Sequence, residues 1–169
     1  MHPIHLQCKE NDISEFVLVS GSPERIIKIS QYLDSAKEVI RSRGYIGFSG
    51  FFKNLYITAC STGIGGPSAA IAFEELGFCG SKTFIRVGSC GIFQEWQKPG
   101  DIIIATGVIR SFGVSDSYLP ISFPSIPSFN VTNALMNSAA EFGITVTAGI
   151  GSTGNTYYSP SKSVSKREE

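Results

Sequence analysis

Apolar residues fall along the chain into short blocks separated by glycine, serine and proline, and the blocks carry two different periods. Phe16-Val17-Leu18-Val19 is a continuous apolar run closed by Ser20-Gly21-Ser22-Pro23, the pattern of a buried strand ending in a turn. Pro23 suits the first turn of a helix, where its missing N–H is not needed, and Ile26, Ile27, Ile29 and Leu33 supply apolar positions for one. The same order recurs downstream. Leu55 to Cys60 reads as a strand entering Ser61-Thr62-Gly63-Ile64-Gly65-Gly66-Pro67-Ser68, and Ala69 to Leu76 reads as the helix that follows. Thr83 to Val87 is a further apolar run, ended by Gly88-Ser89-Cys90-Gly91. Asp101 to Thr106 predicts a strand continuing through Val108-Ile109, Asn130 to Phe142 has helical periodicity, and Ile144 to Ile150 is extended.

Strands alternating with helices predict an α/β fold, a three-layer α-β-α sandwich around a central mixed sheet. Two segments break the alternation. Arg41 to Phe52 sets Gly44, Gly47 and Gly50 among aromatic and β-branched residues and predicts a twisted hairpin. Residues 118 to 129 place three prolines among aliphatic and aromatic residues, as an irregular packed loop would. Residues 1–160 are read as one domain, and the polar tail 161–169, with one apolar residue in nine, is expected to be disordered.

Composition narrows the function. The 169 residues are 42% hydrophobic and 17% charged, as in a soluble globular domain, and fourteen basic side chains balance fourteen acidic ones. That balance argues against nucleic acid or an anionic membrane as partner. The start, Met1-His2-Pro3-Ile4-His5, lacks the charged and apolar regions of a secretory signal, and no apolar run reaches the length of a membrane span, so the expected location is cytoplasmic. Cys8, Cys60, Cys79 and Cys90 show neither a CxxC pair nor histidines at metal spacing; buried free thiols are expected, and no metal site.

In α/β sheets ligands gather beyond the carboxyl ends of the strands, where this chain has three glycine-rich turns. A phosphate dianion needs bare backbone N–H groups, which glycine exposes, and cations able to fork onto its oxygens. Gly21 with Arg25, the Gly63-Gly65-Gly66 turn, and Arg86 with Gly88 and Ser89 meet both needs. Arg86 lies in Phe84-Ile85-Arg86-Val87, where apolar neighbours predict a buried guanidinium that requires an anion, either a bound ligand or a carboxylate such as Glu74 or Glu75.

These motifs resemble those of one enzyme family. Gly21-Ser22-Pro23-Glu24-Arg25 resembles the G-D-P-x-R turn of the hexameric nucleoside phosphorylases. Cys60 to Ser68 resembles the C-S-T-G-I-G-G-P-S of bacterial uridine phosphorylases, and Ile85 to Gly91 the I-R-V-G-S-C-G of the related purine enzymes. The likeness runs over residues 3 to 160. It implies phosphorolysis of a nucleoside to free base and ribose 1-phosphate, with inorganic phosphate as co-substrate and neither metal nor organic cofactor. It further implies that Gly21, Arg25, Arg86 and Ser89 bind phosphate, and that Arg43 is lent to the phosphate of a neighbouring subunit. His5 would be lent likewise to the 5'-hydroxyl of the sugar, while Cys90, Gly91 and Tyr157 would contact the nucleoside. A homo-oligomer, a dimer or trimer of dimers, follows from that sharing.

The family's base-reading stretch, its E-M-E motif and the aspartate acid of the purine enzymes would fall beyond Pro160, so the resemblance leaves the catalytic residues unassigned and the domain incomplete at its C-terminus. A phosphate-binding paralogue of weak or no activity, or an assembly subunit, is the alternative; a nucleosidase using water is a second, disfavoured because a hydrolase has no dianion for the arginines to hold. Cys60 to Ser68 and His5 point to uridine, whereas Arg43 to Gly50 and Tyr158-Ser159-Pro160 point to purine nucleosides. Uridine is the favoured reading.

Overall fold

The computed structural model describes residues 2–158, so the tail expected at 161–169 and the Ser159-Pro160 part of the purine-like match lie outside the described residues. The chain divides into two compact units, residues 1–90 and 91–169.

In the first unit, strand β1 (Phe16–Ser20) enters helix α1 (Pro23–Ser30) through a tight turn. Ser22 caps the helix, its Oγ accepting the Arg25 N–H at 3.2 Å, and Pro23 occupies the first turn as its fixed φ predicts. Strands β2 (Asp34–Ser42), β3 (Tyr45–Phe52) and β4 (Leu55–Ser61) form an antiparallel meander, and helix α2 (Gly66–Phe78) returns the chain to β5 (Thr83–Arg86). The sheet order is β2-β3-β4-β1-β5, with β1 parallel to both neighbours, so the sheet is mixed.

Strand alternation assigns the two faces. Val17, Val19, Cys60 and Ile40 pack with Ala72 and Leu76 of α2, and the Phe73 ring meets Phe84 edge-on at 5.2 Å. On the opposite face β3 runs so close to Leu33, just past α1, that a side chain at Gly50 would collide with it. Helices therefore cover both faces of this sheet, in the three layers expected.

The sequence reading extends α1 to Leu33 and starts the hairpin at Arg41, whereas the helix ends at Ser30 and β2 begins at Asp34. The first five residues of β2, Asp34 to Glu38 (Asp-Ser-Ala-Lys-Glu), are all exposed on the sheet edge. An edge strand needs no apolar alternation, and its charges discourage pairing with other chains.

In the second unit β6 (Ile102–Arg110) pairs in parallel with β7 (Val146–Thr153), and α3 (Phe129–Glu141) connects them and packs on β6. The 118–129 loop is not packed as expected. Leu119, Ile121, Phe123 and Ile126 are exposed, and the loop is held instead by Arg110, whose Nη2 donates to the carbonyl oxygens of Leu119, at 2.9 Å, and Pro120.

Ile26 is 0% exposed while Ile27, next to it on α1, is 40% exposed. Truncating Ile26 to alanine is expected to lower unfolding free energy by about 2–4 kcal/mol in urea titrations. Ile27→Ala is expected to change it by under about 1 kcal/mol.

Candidate functional site

Parallel pairing sets the carboxyl ends of β4, β1 and β5 side by side. Beyond the strands the pairing continues, with Thr62 N–H donating to the Ser20 carbonyl at 2.7 Å and Val87 N–H to the Val19 carbonyl at 2.8 Å. Three turns open here. In the first, the ideal Cβ position at Gly21 lies 3.2 Å from the Gly63 carbonyl of the second turn, so glycine allows the two to approach. Gly63 and Gly65 have φ of +69° and +103°, in the region that favours glycine, and Gly65 leaves the start of α2 without a side-chain cap. Ser68 ties that turn down by donating its Oγ–H to the Thr62 carbonyl at 2.6 Å.

Arg25 reaches across this end of the sheet. Its Nη1 donates to Ser20 Oγ at 2.9 Å and to the Val87 carbonyl at 3.2 Å, linking α1 to the residue that follows Arg86. Both acceptors are neutral. The Arg86 guanidinium folds back onto Gly88, where any side chain would strike it. Among the described residues none of Arg25, Arg43 and Arg86 pairs with a carboxylate; the lysine and arginine pairs Lys37–Asp12, Arg41–Glu38 and Lys82–Glu15 of this unit lie elsewhere.

Arg86 departs from expectation in one respect. It is the last residue of β5 and is exposed, so no desolvation forces an anion upon it. Neither glutamate offered as an alternative partner serves: Glu74 is exposed, and Glu75 is engaged by the N-terminal segment.

The structure sets Gly21, Arg25 and Arg86 at the same end of the sheet, Arg25 tied to Ser20 and Val87 and the Arg86 side chain folded onto Gly88, with Ser89 and Cys90 exposed on the segment that leaves β5. Arg43 stands apart from them. It forms with Gly44 the tight β2–β3 turn, at φ of +50° and +84°, as primed hairpin turns require. The turn faces the same end of the sheet, because Ile46 N–H donates to Ser61 Oγ at 2.8 Å, but β4 and β3 lie between it and β1. Gly91 and Tyr157 belong to the second unit, where Tyr157 is 93% exposed and stacks edge-on with Tyr158 at 5.0 Å.

His5 is held by Glu75, a buried residue of α2. The carboxylate accepts the backbone N–H groups of Ile4, His5 and Leu6 at 3.1, 2.9 and 2.7 Å, and the His5 Nδ1–H at 2.6 Å. His5 is thus an ordered residue and not a mobile surface one. Burial alone would raise the Glu75 carboxyl, but the N–H donors of Leu6 and His5 and the His5 ring outweigh it and hold it below the ordinary glutamate value. Sequence reasoning missed this clasp and the Ser20 hydroxyl. Ser20 had a signal, a polar residue closing an apolar strand; Glu75 had none.

Among the described residues no group of three or more His, Cys, Asp or Glu is placed to hold a metal ion, and no helix is long and apolar enough to cross a membrane.

Comparison with known proteins is consistent across sequence and structure. A family model described as the phosphorylase superfamily matches residues 15–168. A uridine phosphorylase from Thermococcus kodakarensis is 42% identical over 91% of this chain and 56% of its own length. A guanosine phosphorylase from Halorubrum lacusprofundi is 36% identical over 81% of the chain and 57% of its own length. The crystal structure of a purine nucleoside phosphorylase from Toxoplasma gondii superposes with a TM-score of 0.90 at 31% identity, covering 94% of this chain and 64% of that one. The chain spans less than two thirds of the length of each of these relatives.

Glu75→Gln is expected to lower unfolding free energy at neutral pH by about 1.5–3 kcal/mol, the range for hydrogen bonds to a charged group. A depressed carboxyl contributes fully above its unfolded value, near 4.5, and the contribution is lost as pH falls through the lower folded value. The wild-type and Glu75→Gln stabilities measured by urea unfolding should therefore converge in acid.

Proposed function

The chain belongs to the phosphorylase superfamily, and from that premise we propose that it serves as a nucleoside phosphorylase, cleaving the N-glycosidic bond with phosphate to give free base and ribose 1-phosphate. The observation that carries this reading is the pair Arg25 and Arg86, free of carboxylates at one end of the sheet beside glycine turns. Cleaving an N-glycosidic bond builds cation-like charge on the sugar. A dianion held beneath it supplies both the nucleophile and its electrostatic stabilisation. Arg25, Arg86, Ser89 and the backbone around Gly21 hold the phosphate in this reading. Arg25 enters pre-oriented by Ser20 and the Val87 carbonyl, which removes rotamer freedom before the anion arrives.

The remaining residues act in an assembly. Arg43 reaches the phosphate of a partner subunit and His5, oriented by Glu75, the 5'-hydroxyl of a partner's sugar, which requires a homo-oligomer. Cys90, Gly91 and Tyr157 contact the nucleoside, Tyr157 against the base. Uridine is favoured over purine nucleosides, supported by the Cys60 to Ser68 run and the higher identity to the Thermococcus uridine phosphorylase than to the guanosine enzyme. The chemistry needs no metal or organic cofactor, and a cytoplasmic location suits its substrates.

Calorimetry with inorganic phosphate tests the anion site. Each lost charge-assisted bond is worth about 1.5–3 kcal/mol, so Arg25→Ala and Arg86→Ala should weaken binding roughly 10- to 150-fold, while Lys82→Ala should not. Undiminished affinity in Arg86→Ala would remove the basis of the reading. Assays with uridine and inosine, with and without phosphate, then separate the reactions: cleavage only with phosphate is expected, cleavage without it denotes a nucleosidase, and silence with intact phosphate binding denotes a binding subunit. Sedimentation is expected to show an oligomer; a monomer would leave Arg43 and His5 without the roles given them.

A further inference from the structure

Outside the anion site the first unit holds two thiols in contact. Cys8 Sγ lies 3.5 Å from Cys79 Sγ, across 71 residues of sequence, and the two residues are 2% and 5% exposed. Cys79 caps the C-terminus of α2, and Cys8 ends the N-terminal segment that Glu75 clasps on the same helix. We propose that Cys8 and Cys79 form a dithiol oxidation site whose oxidant is a low-molecular-weight disulfide, and that oxidation locks the His5-bearing segment onto α2.

Three observations favour a redox pair over other uses. With no third His, Cys, Asp or Glu grouped with them among the described residues, the pair falls short of the four ligands a structural zinc ion takes. The sulfurs are close enough that a modest shift joins them at the roughly 2 Å of a disulfide bond. One partner sits on a segment with little regular structure, held by side-chain and cap contacts, which opens more readily than strand or helix.

The chemistry proceeds by two exchanges. When the segment lifts from α2, the Cys8 thiolate attacks glutathione disulfide, forming a mixed disulfide and releasing one glutathione thiolate, which takes up the proton Cys8 gave. While the segment is still open Cys79 loses its proton to solvent, and as the segment closes its thiolate attacks the Cys8 sulfur, expelling the second glutathione, which takes up that proton. Two protein thiols are oxidised, one disulfide is reduced to two thiols, and no further reactant is needed. In the closed state burial pushes the Cys8 thiol up to about 12 and raises Cys79 too, so the thiolate forms only through opening. Glu75 therefore governs the rate. The proposal stands apart from the phosphorolysis reading, and the chain need not be active for its test.

The test incubates the full chain with glutathione disulfide, blocks remaining thiols by alkylation in denaturant, and maps peptides by mass. Exposed Cys90, expected to carry glutathione, reports that the reagent acted. The expected result is a Cys8 peptide joined to the Cys79 peptide with loss of two hydrogens, Cys60 remaining alkylated, and a raised urea midpoint that thiol reductant reverses, as closure of a long loop predicts. Cys79→Ser should trap glutathione on Cys8, and Glu75→Gln should speed oxidation of the pair several-fold. Cys8 and Cys79 both alkylated while Cys90 is modified, separate glutathione adducts on each in the wild-type chain, or a Cys8–Cys60 link would each overturn the proposal. The wild-type map alone decides it should either variant fail to fold.

Discussion

Parallel pairing of β1 with both β4 and β5 fixes the arrangement of everything at the candidate site. Parallel neighbours cannot be joined by a tight hairpin, so each connection must cross over and re-enter from the same end. Here α2 makes one crossing, while α1 and the β2–β3 hairpin together make the other. The result is that three turns emerge side by side and are stitched together by Thr62 N–H on the Ser20 carbonyl and Val87 N–H on the Val19 carbonyl. A slip of one residue between β1 and β5 would carry the Val87 carbonyl away from Arg25 and turn Arg86 toward the α1 face of the sheet.

Two charged residues of the first unit illustrate opposite uses of hydrogen bonding. Glu75 is buried, and its two oxygens receive three backbone N–H groups and an imidazole, which satisfies its acceptors and leaves it a structural role. Arg25 has five side-chain N–H donors by its chemistry, and among the described residues Nη1 alone is engaged, by two neutral oxygens. Those contacts fix the orientation of the guanidinium without spending its charge. A group oriented in this way still attracts an anion at full strength, whereas one paired with a carboxylate would have to exchange partners first.

Apolar runs made β1, β4, β5 and β6 legible, because aliphatic, aromatic and β-branched residues dominate each, and Ser22-Pro23 marked the start of α1 through capping chemistry. Strand β2 escaped notice since its first half is a polar edge, ordered by backbone pairing to β3 instead of burial. The glycine turns and Arg25 were readable as motifs. The burial of Arg86 was misjudged because apolar neighbours indicate a strand but not where it stops, and β5 stops at that residue. Glu75 was invisible as a clasp: Glu74 and Glu75 look alike in sequence, and the partners that distinguish them are about 70 residues away.

The positions of Arg43 and His5 bear on how many copies of the chain the proposed site needs. With strands spaced about 4.8 Å apart, the turn carrying Arg43 stands roughly 10 Å from β1, with β3 and β4 between them. Glu75 lies nine residues past Gly66, so the clasped His5 sits roughly 14 Å along α2 from its N-terminal turn. The tight turn fixes the Arg43 backbone away from β1, and His5 is held at both backbone and ring. In the proposed function both serve a phosphate and sugar site in another copy, which accords with their standing apart from Arg25 within the first unit.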